Sequence, residues 1–165
     1  MVNIRIIPAT MRYAKAYCAA VDIVARERRY LSRTTGFSLA STKAFFRSAF
    51  DDNCPILVAV DDQDRLGGWC DIIALPGDCC CHVGRLGIGL LPAYRNHGLG
   101  GRLLKAALNQ AQGRFEQVEL EVLSGNGRAI RLYERFGFEQ EGVRRRAFFV
   151  DGQYQDILLM NKFLQ

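Results

Sequence analysis

The chain has little that marks a specialised class. Its 165 residues include two histidines, four prolines and one tryptophan. No apolar run approaches the roughly 20 residues that a membrane-crossing helix requires. Arg12, Lys15 and Asp22 interrupt any apolar stretch near the start, so no secretory leader is expected and a cytoplasmic location is. No Cys-x-x-Cys pair occurs. The six cysteines, at 18, 54, 70 and 79 to 81, lack the spacing of a disulfide framework, and a chain of this length does not need one. Cys79-Cys80-Cys81-His82 invites a metal reading. Neighbours in an extended chain point to opposite faces, so three in a row sit poorly around one ion, and no metal is expected. Long blocks of one charge are missing too, the longest being Arg144-Arg145-Arg146. With 22 basic residues dispersed among 17 acidic ones, nucleic acid is not an expected partner.

What is present is an ordinary globular composition, 49% hydrophobic and 24% charged, which supports a packed core. The length suits one domain over residues 1–165. A net charge of +5 favours anionic ligands as a class.

Periodicity gives the element order. Residues 2–7 alternate as a strand, and Thr10 is placed to cap a helix reaching about Arg29. Met11, Ala14, Cys18, Val21 and Ala25 form its apolar stripe. Ser41 or Thr42 is a cap for a second helix, "KAFFRSAF". Residues 55–60 and the segment "WCDIIAL" read as a hairpin around "DDQDRLGG". Residues 76–81 are a loop. The strand "HVGRLGIGLL" (82–91) is broken by glycines, the mark of a bulge or of another backbone passing close. A helix follows with Leu99, Leu103, Leu104, Ala107, Leu108 and Ala111 on one face. Residues 116–123 alternate as a strand. Residues 127–137 form a helix with Ala129, Leu132, Tyr133 and Phe136 on one face and Gly137 as its terminal cap. Strands near 142–150 and 153–162 turn at Asp151-Gly152. The result is one mixed α/β (α+β) domain.

Residues 94–104, "YRNHGLGGRLL", pose the functional question. Glycine is about 1 kcal/mol worse than alanine inside a helix, yet Gly98, Gly100 and Gly101 open one. A helix start carries unpaired N–H groups and about half a positive charge. Small residues there let an anion reach the backbone, and Arg95 can add a charged contact. The Walker and dinucleotide patterns both fail here. Taken alone, Arg95-x-x-Gly98-x-Gly100 also fits glycines that merely let a helix pack tightly.

A second block, "LEVLSGNGRAIRLYERFGF" (120–138), joins a strand, Asn126 and a short helix ending Leu-Tyr-x-Arg-x-Gly-Phe. Together with "IGLLPAYRNHGLGGRLL" it resembles the GNAT superfamily of acetyl-CoA-dependent N-acetyltransferases. The ending "RRRAFFVDGQYQDILLM" is similar to that family's last two strands. The ribosomal-protein N-terminal branch and the branch acting on amino acids or small amines fit equally well. The resemblance implies a mixed, mostly antiparallel sheet of roughly six to seven strands with about four helices. It implies acetyl-CoA as co-substrate and a primary amine as acceptor, on a free amino acid, small amine or peptide. It also admits a homodimer through the last strands.

Residue by residue, the resemblance implies that Ile88, Gly89 and Leu90 pair with the pantetheine arm. Arg95, Asn96, His97, Gly98, Leu99, Gly100 and Gly101 surround the CoA pyrophosphate. Asn126 contacts the cofactor, Tyr133 protonates the departing sulfur, and Glu121 is the base. His97 departs from the usual Lys, Arg or Gln, and Leu91 from a common polar residue. Neither change removes a backbone donor.

The chemistry is coherent. An α-amine with pKa near 8 is roughly 10% neutral at pH 7 and a lysine only about 0.04%, so a base helps both. Glu121 acts through water in this scheme, with Asp71 and Glu27 as lesser candidates. The Leu90 N–H is the natural oxyanion donor. Phenol and thiol pKa values lie close together, which makes Tyr133 a balanced acid. Each residue also has a plain reading: Glu121 on a solvated strand face, Glu27 in a surface ion pair, Asp71 structural, Tyr133 in the core. Arg144 to Arg146 fit either a solvated edge or a site for a substrate carboxylate. The rival function is a non-catalytic module that binds and senses CoA; it would need the glycine loop but neither Tyr133 nor a base.

Overall fold

The computed structural model describes residues 3–164. Strand β1 (Arg5–Pro8) leads through a 3-10 turn to α1 (Ala14–Arg26) and α2 (Leu39–Asp51). Then come β2 (Ile56–Val60), β3 (Leu66–Ala74), β4 (Val83–Leu90), α3 (Leu99–Ala111), β5 (Gln117–Leu123), α4 (Gly127–Arg135), β6 (Glu139–Val150) and β7 (Gln153–Phe163). The order matches the periodicity. The strands form one seven-stranded sheet, β1-β2-β3-β4-β5-β7-β6. Every neighbouring pair is antiparallel except β4 with β5. Among the described residues no helix is long and apolar enough to cross a membrane.

Boundaries moved where local chemistry outweighed pattern. The part of the first expected strand at Val2 lies outside the described residues. Thr10 makes no side-chain cap and precedes the 3-10 turn. Helix α1 ends at Arg26 rather than Arg29, and Arg28 already has a left-handed φ of 58°. Its buried stripe is Ala14, Tyr17, Ala20, Val21, Val24 and Ala25. Tyr17 takes the central position expected of Cys18, because its hydroxyl finds a buried partner on β3. Helix α2 is capped by Ser38, whose Oγ accepts from the Ser41 N–H at 3.0 Å, so it starts before the expected Ser41 or Thr42 cap. Strand β6 begins at Glu139, earlier than the alternation suggested.

The apolar faces of α1 and α2 cover one side of the sheet, where Tyr17 and Phe46 stack edge-on at 5.1 Å. The expected stripe of α3, from Leu99 to Ala111, is fully buried on the other side. These two layers hold the sheet between them, and burying such side chains contributes about 1.5–3 kcal/mol each.

Strands β4 and β5 pair only at Val83–Arg85 with Gln117–Glu119. There an Arg85–Glu119 ion pair at 2.6 Å closes the junction. Beyond it the strands part, and the sheet opens through its centre.

Candidate active site

The split is the mouth of a cavity of about 780 Å³ lined from both layers. Its edge is β4. The Leu91 N–H donates to the Gly67 carbonyl at 2.9 Å, and the Leu75 N–H to the Val83 carbonyl at 2.9 Å. Backbone groups alternate in direction along an antiparallel strand. Val83, Arg85, Gly87 and Gly89 therefore turn theirs to β3, and Leu86, Ile88 and Leu90 turn theirs into the split. Arg95 Nε occupies the Leu90 carbonyl at 3.0 Å. Ile88's two groups and the Leu90 N–H remain for a ligand. Gly89 supplies no backbone group to the cleft; a Cβ there would lie 2.2 Å from the Trp69 ring.

At one end of the split, α3 starts at Leu99. Its N-cap, Gly98, has φ +73° and no side-chain cap. Among the described residues, the amides of 96 to 101 have no hydrogen-bond acceptor; the first N–H bonded back is that of Arg102, to the Gly98 carbonyl. A Cβ on Gly100 would sit 3.5 Å from Leu132, and one on Gly101 3.7 Å from it, both ordinary contacts. Helix packing therefore does not require those glycines, which weakens the tight-packing reading. Asn96, Gly98, Leu99, Gly100 and Gly101 line the cavity; His97 is exposed in the same loop and does not.

Arg95 is committed to the protein. Its Nη1 lies 2.8 Å from Glu27, a second contact makes the pair bidentate, and its guanidinium stacks on Tyr30 at 4.7 Å. Glu27 and Arg95 were separate candidates in the sequence, and here they satisfy each other. Asn126 caps α4, its Oδ1 accepting from the Ala129 N–H at 3.2 Å, while it also lines the cavity.

Tyr133 is buried on α4, packs edge-on to Phe138 at 5.8 Å and borders the cavity. Burial, with a smaller effect from the Cys70 thiol, pushes its phenol well above the ordinary value of 10. The near-balance with a thiol expected from ordinary pKa values therefore does not hold for the isolated residue. A thiolate formed in the same apolar place is raised as well, so donor and acceptor move together.

On the α1–α2 side, Glu121 lines the cavity and is ion-paired with Arg144. The rest of the arginine run diverges: Arg146 has φ +50° and stacks over Tyr154 at 4.0 Å. Asp71 is only 7% exposed, borders the same cavity and accepts from the Tyr17 hydroxyl at 2.8 Å. Burial pushes its carboxyl up to about 7, against the lowering effect of that hydrogen bond. The sequence undervalued this pair. Its one signal was an acidic residue inside the otherwise apolar run of β3.

This is a two-sided cleft, with bare amides and a buried phenol on one side and carboxylates on the other. The acetyltransferase (GNAT) family profile matches residues 19–138, and the chain belongs to that family. The N-alpha-acetyltransferase RimI of Mycobacterium tuberculosis is 45% identical over 65 residues, 39% of this chain and 40% of that one. The L-amino acid N-acetyltransferase AaaT of Escherichia coli is 30% identical over 81 residues, 48% of this chain and 50% of that one. The chain thus spans half or less of these relatives' length. The yncA structure from Salmonella typhimurium, which holds its cofactor acetyl-CoA, superposes with a TM-score of 0.92 at 18% identity. That alignment covers 99% of this chain and 95% of the other.

Proposed function

We propose that the chain transfers the acetyl group of acetyl-CoA to a primary amine by direct attack. The observation that carries this reading is one continuous path. It runs from the unpartnered amides of 96 to 101, along the two backbone groups of Ile88 and the Leu90 N–H, past Tyr133 and out to Glu121. Bare amides at a helix start suit a pyrophosphate. A strand edge suits the amide-bearing pantetheine arm, which would pair with it as an added strand does. The Leu90 N–H is turned into the split, where a thioester oxygen would collect charge. Tyr133 protonates the leaving sulfur, and Glu121 draws a proton from the nitrogen through water.

The acceptor is an α-amine, on a free amino acid or a peptide N-terminus, or a small amine. RimI is named an N-alpha-acetyltransferase and AaaT an L-amino acid N-acetyltransferase, and the carboxyls of Asp71 and Glu121 suit a cationic amine. Calorimetric titration of acetyl-CoA beside free CoA tests the first half. Micromolar binding followed by CoA release in an amine screen is expected; no binding at millimolar ligand overturns the reading.

A further inference from the structure

Asp71 is a buried acid that the scheme above does not use. Its Oδ2 is held by Tyr17 from α1. Its Oδ1 has no hydrogen bond among the described residues and overlies Gly87, where a Cβ would come within 3.0 Å of it. Gly87 is on β4, at the lip of the split, so the carboxyl looks into the opening over a residue with no side chain to cover it. Its cross-strand neighbours are Ile56 on β2 and Gly87 on β4, neither of them charged. From α1 the Tyr17 phenol donates to it, and the Cys70 thiol is its neighbour on β3. Across the cleft, Glu121 is engaged by Arg144 and Glu119 by Arg85. No basic side chain pairs with Asp71 among the described residues. A buried, unpaired carboxyl facing a cavity is waiting for a cation.

We propose that Asp71 binds the acceptor's ammonium group and takes its first proton, with Tyr17 fixing the carboxyl toward the cleft. The inference rests on the acetyltransferase reading. The ammonium R–NH3+ must lose two protons on its way to the amide. Asp71 takes one, leaving a lone pair on R–NH2 that forms the C–N bond as the thioester carbonyl becomes an oxyanion. When the intermediate collapses, the C–S bond breaks and Tyr133 gives its proton to the sulfur. The second nitrogen proton leaves through water beside Glu121 and restores the account of the one Tyr133 gave. Asp71 then releases its proton to solvent, so each turnover yields the amide, CoA thiol and one proton. Glu121 and Asp71 are complementary in this scheme, one for each proton. A carboxyl that titrates near neutral pH suits the first step.

The test is kcat/KM for the amine against pH at saturating acetyl-CoA, which reports the groups of the enzyme before the amine binds. It uses two amines of different pKa. Wild type is expected to show a limb rising through about pH 7 with either amine. Asp71→Asn is expected to lose that limb, with kcat down at least about tenfold and KM for the amine raised. Calorimetric affinity for acetyl-CoA is expected to stay the same. Tyr17→Phe keeps the carboxyl but removes a hydrogen bond that lowers its pKa, so its limb should move to higher pH; this variant decides the matter if Asp71→Asn does not fold. A limb that follows the amine's own pKa, persists in Asp71→Asn or stays put in Tyr17→Phe overturns the role of Asp71 and leaves the acetyltransferase reading standing. No acetylation of any amine by wild type overturns both.

Discussion

The two sides of the split sheet work by different physics. The α3–α4 side presents backbone: amides of 96 to 101 and the inward groups of Ile88 and Leu90. The α1–α2 side presents side chains: Asp71 on β3, Tyr17 on α1 and Glu121 on β5. A backbone site is set by chain path and small residues, so it tolerates exchange of most side chains. A side-chain site is changed by a single substitution. One enzyme family can therefore keep its cofactor while changing its acceptor. The difference can be tested from either side, beginning where a side chain works on the backbone side.

The largest effect is expected at Tyr133. Tyr133→Phe removes one hydroxyl from a buried ring, and the Phe138 contact survives. We expect kcat to fall by at least about tenfold, and by as much as the roughly 10²–10⁴-fold that general acid–base catalysis contributes, with acetyl-CoA affinity unchanged by calorimetry. Unchanged turnover would remove Tyr133 from the mechanism.

Gly100 sharpens the contrast, because stability and binding should move in opposite directions. A Cβ there meets Leu132 at 3.5 Å, an ordinary contact. Gly100→Ala should therefore stabilise α3, by up to about 1 kcal/mol, the difference in helix propensity. The same methyl obstructs close approach of a phosphate to the amides, and acetyl-CoA affinity should weaken by about tenfold, roughly 1.4 kcal/mol. A rise in Tm with unaltered affinity would place the pyrophosphate elsewhere.

The contrast also explains what was legible in the sequence. Backbone sites leave a trace in order and spacing: Gly98, Gly100 and Gly101 before a leucine stripe, then Asn126 and Tyr133 at fixed intervals. The element order could be read because each apolar face has a period. The side built from side chains was less legible. Tyr17 and Asp71 are 54 positions apart and meet only through the packing of α1 on β3. Glu27 and Arg95, 68 apart, meet the same way. Local pattern carries no information about such pairs. It even favoured Cys18 over Tyr17 in the buried stripe, because apolar character outranks a hydroxyl whose partner is unknown.

Asp71 should also appear in stability. Its carboxyl is raised from an ordinary 3.8 to about 7 in the fold. Between those values the native state holds a proton that the unfolded chain has lost, so stability falls as pH rises. It is highest, on this account, below about pH 4, and the loss is complete once pH passes about 7. Denaturant unfolding from pH 4 to 8 should show the decline, and Asp71→Asn should flatten it. An identical slope in the variant would mean that another group causes it.

The smallest effect is expected where the two sides are tied together. Glu27 follows the last residue of α1 on the side that presents side chains, and Arg95 begins the glycine loop on the side that presents backbone. Their bidentate pair is mostly shielded, with Arg95 17% exposed and Glu27 26%. Arg95 also holds the Leu90 carbonyl at 3.0 Å, which helps fix the Leu90 amide in the split. Glu27→Gln keeps the shape of that contact and removes the charge. Losing a charge-assisted bond of this kind costs about 1–2 kcal/mol when partly shielded. Since Arg95 keeps Leu90 and Tyr30, we expect a Tm lowered by a few degrees and acetyl-CoA affinity reduced about two- to threefold, roughly 0.4–0.7 kcal/mol. If acetyl-CoA affinity instead collapses while Tm holds, Arg95 turns from structural tie to direct phosphate ligand. The backbone side would then depend on a side chain after all.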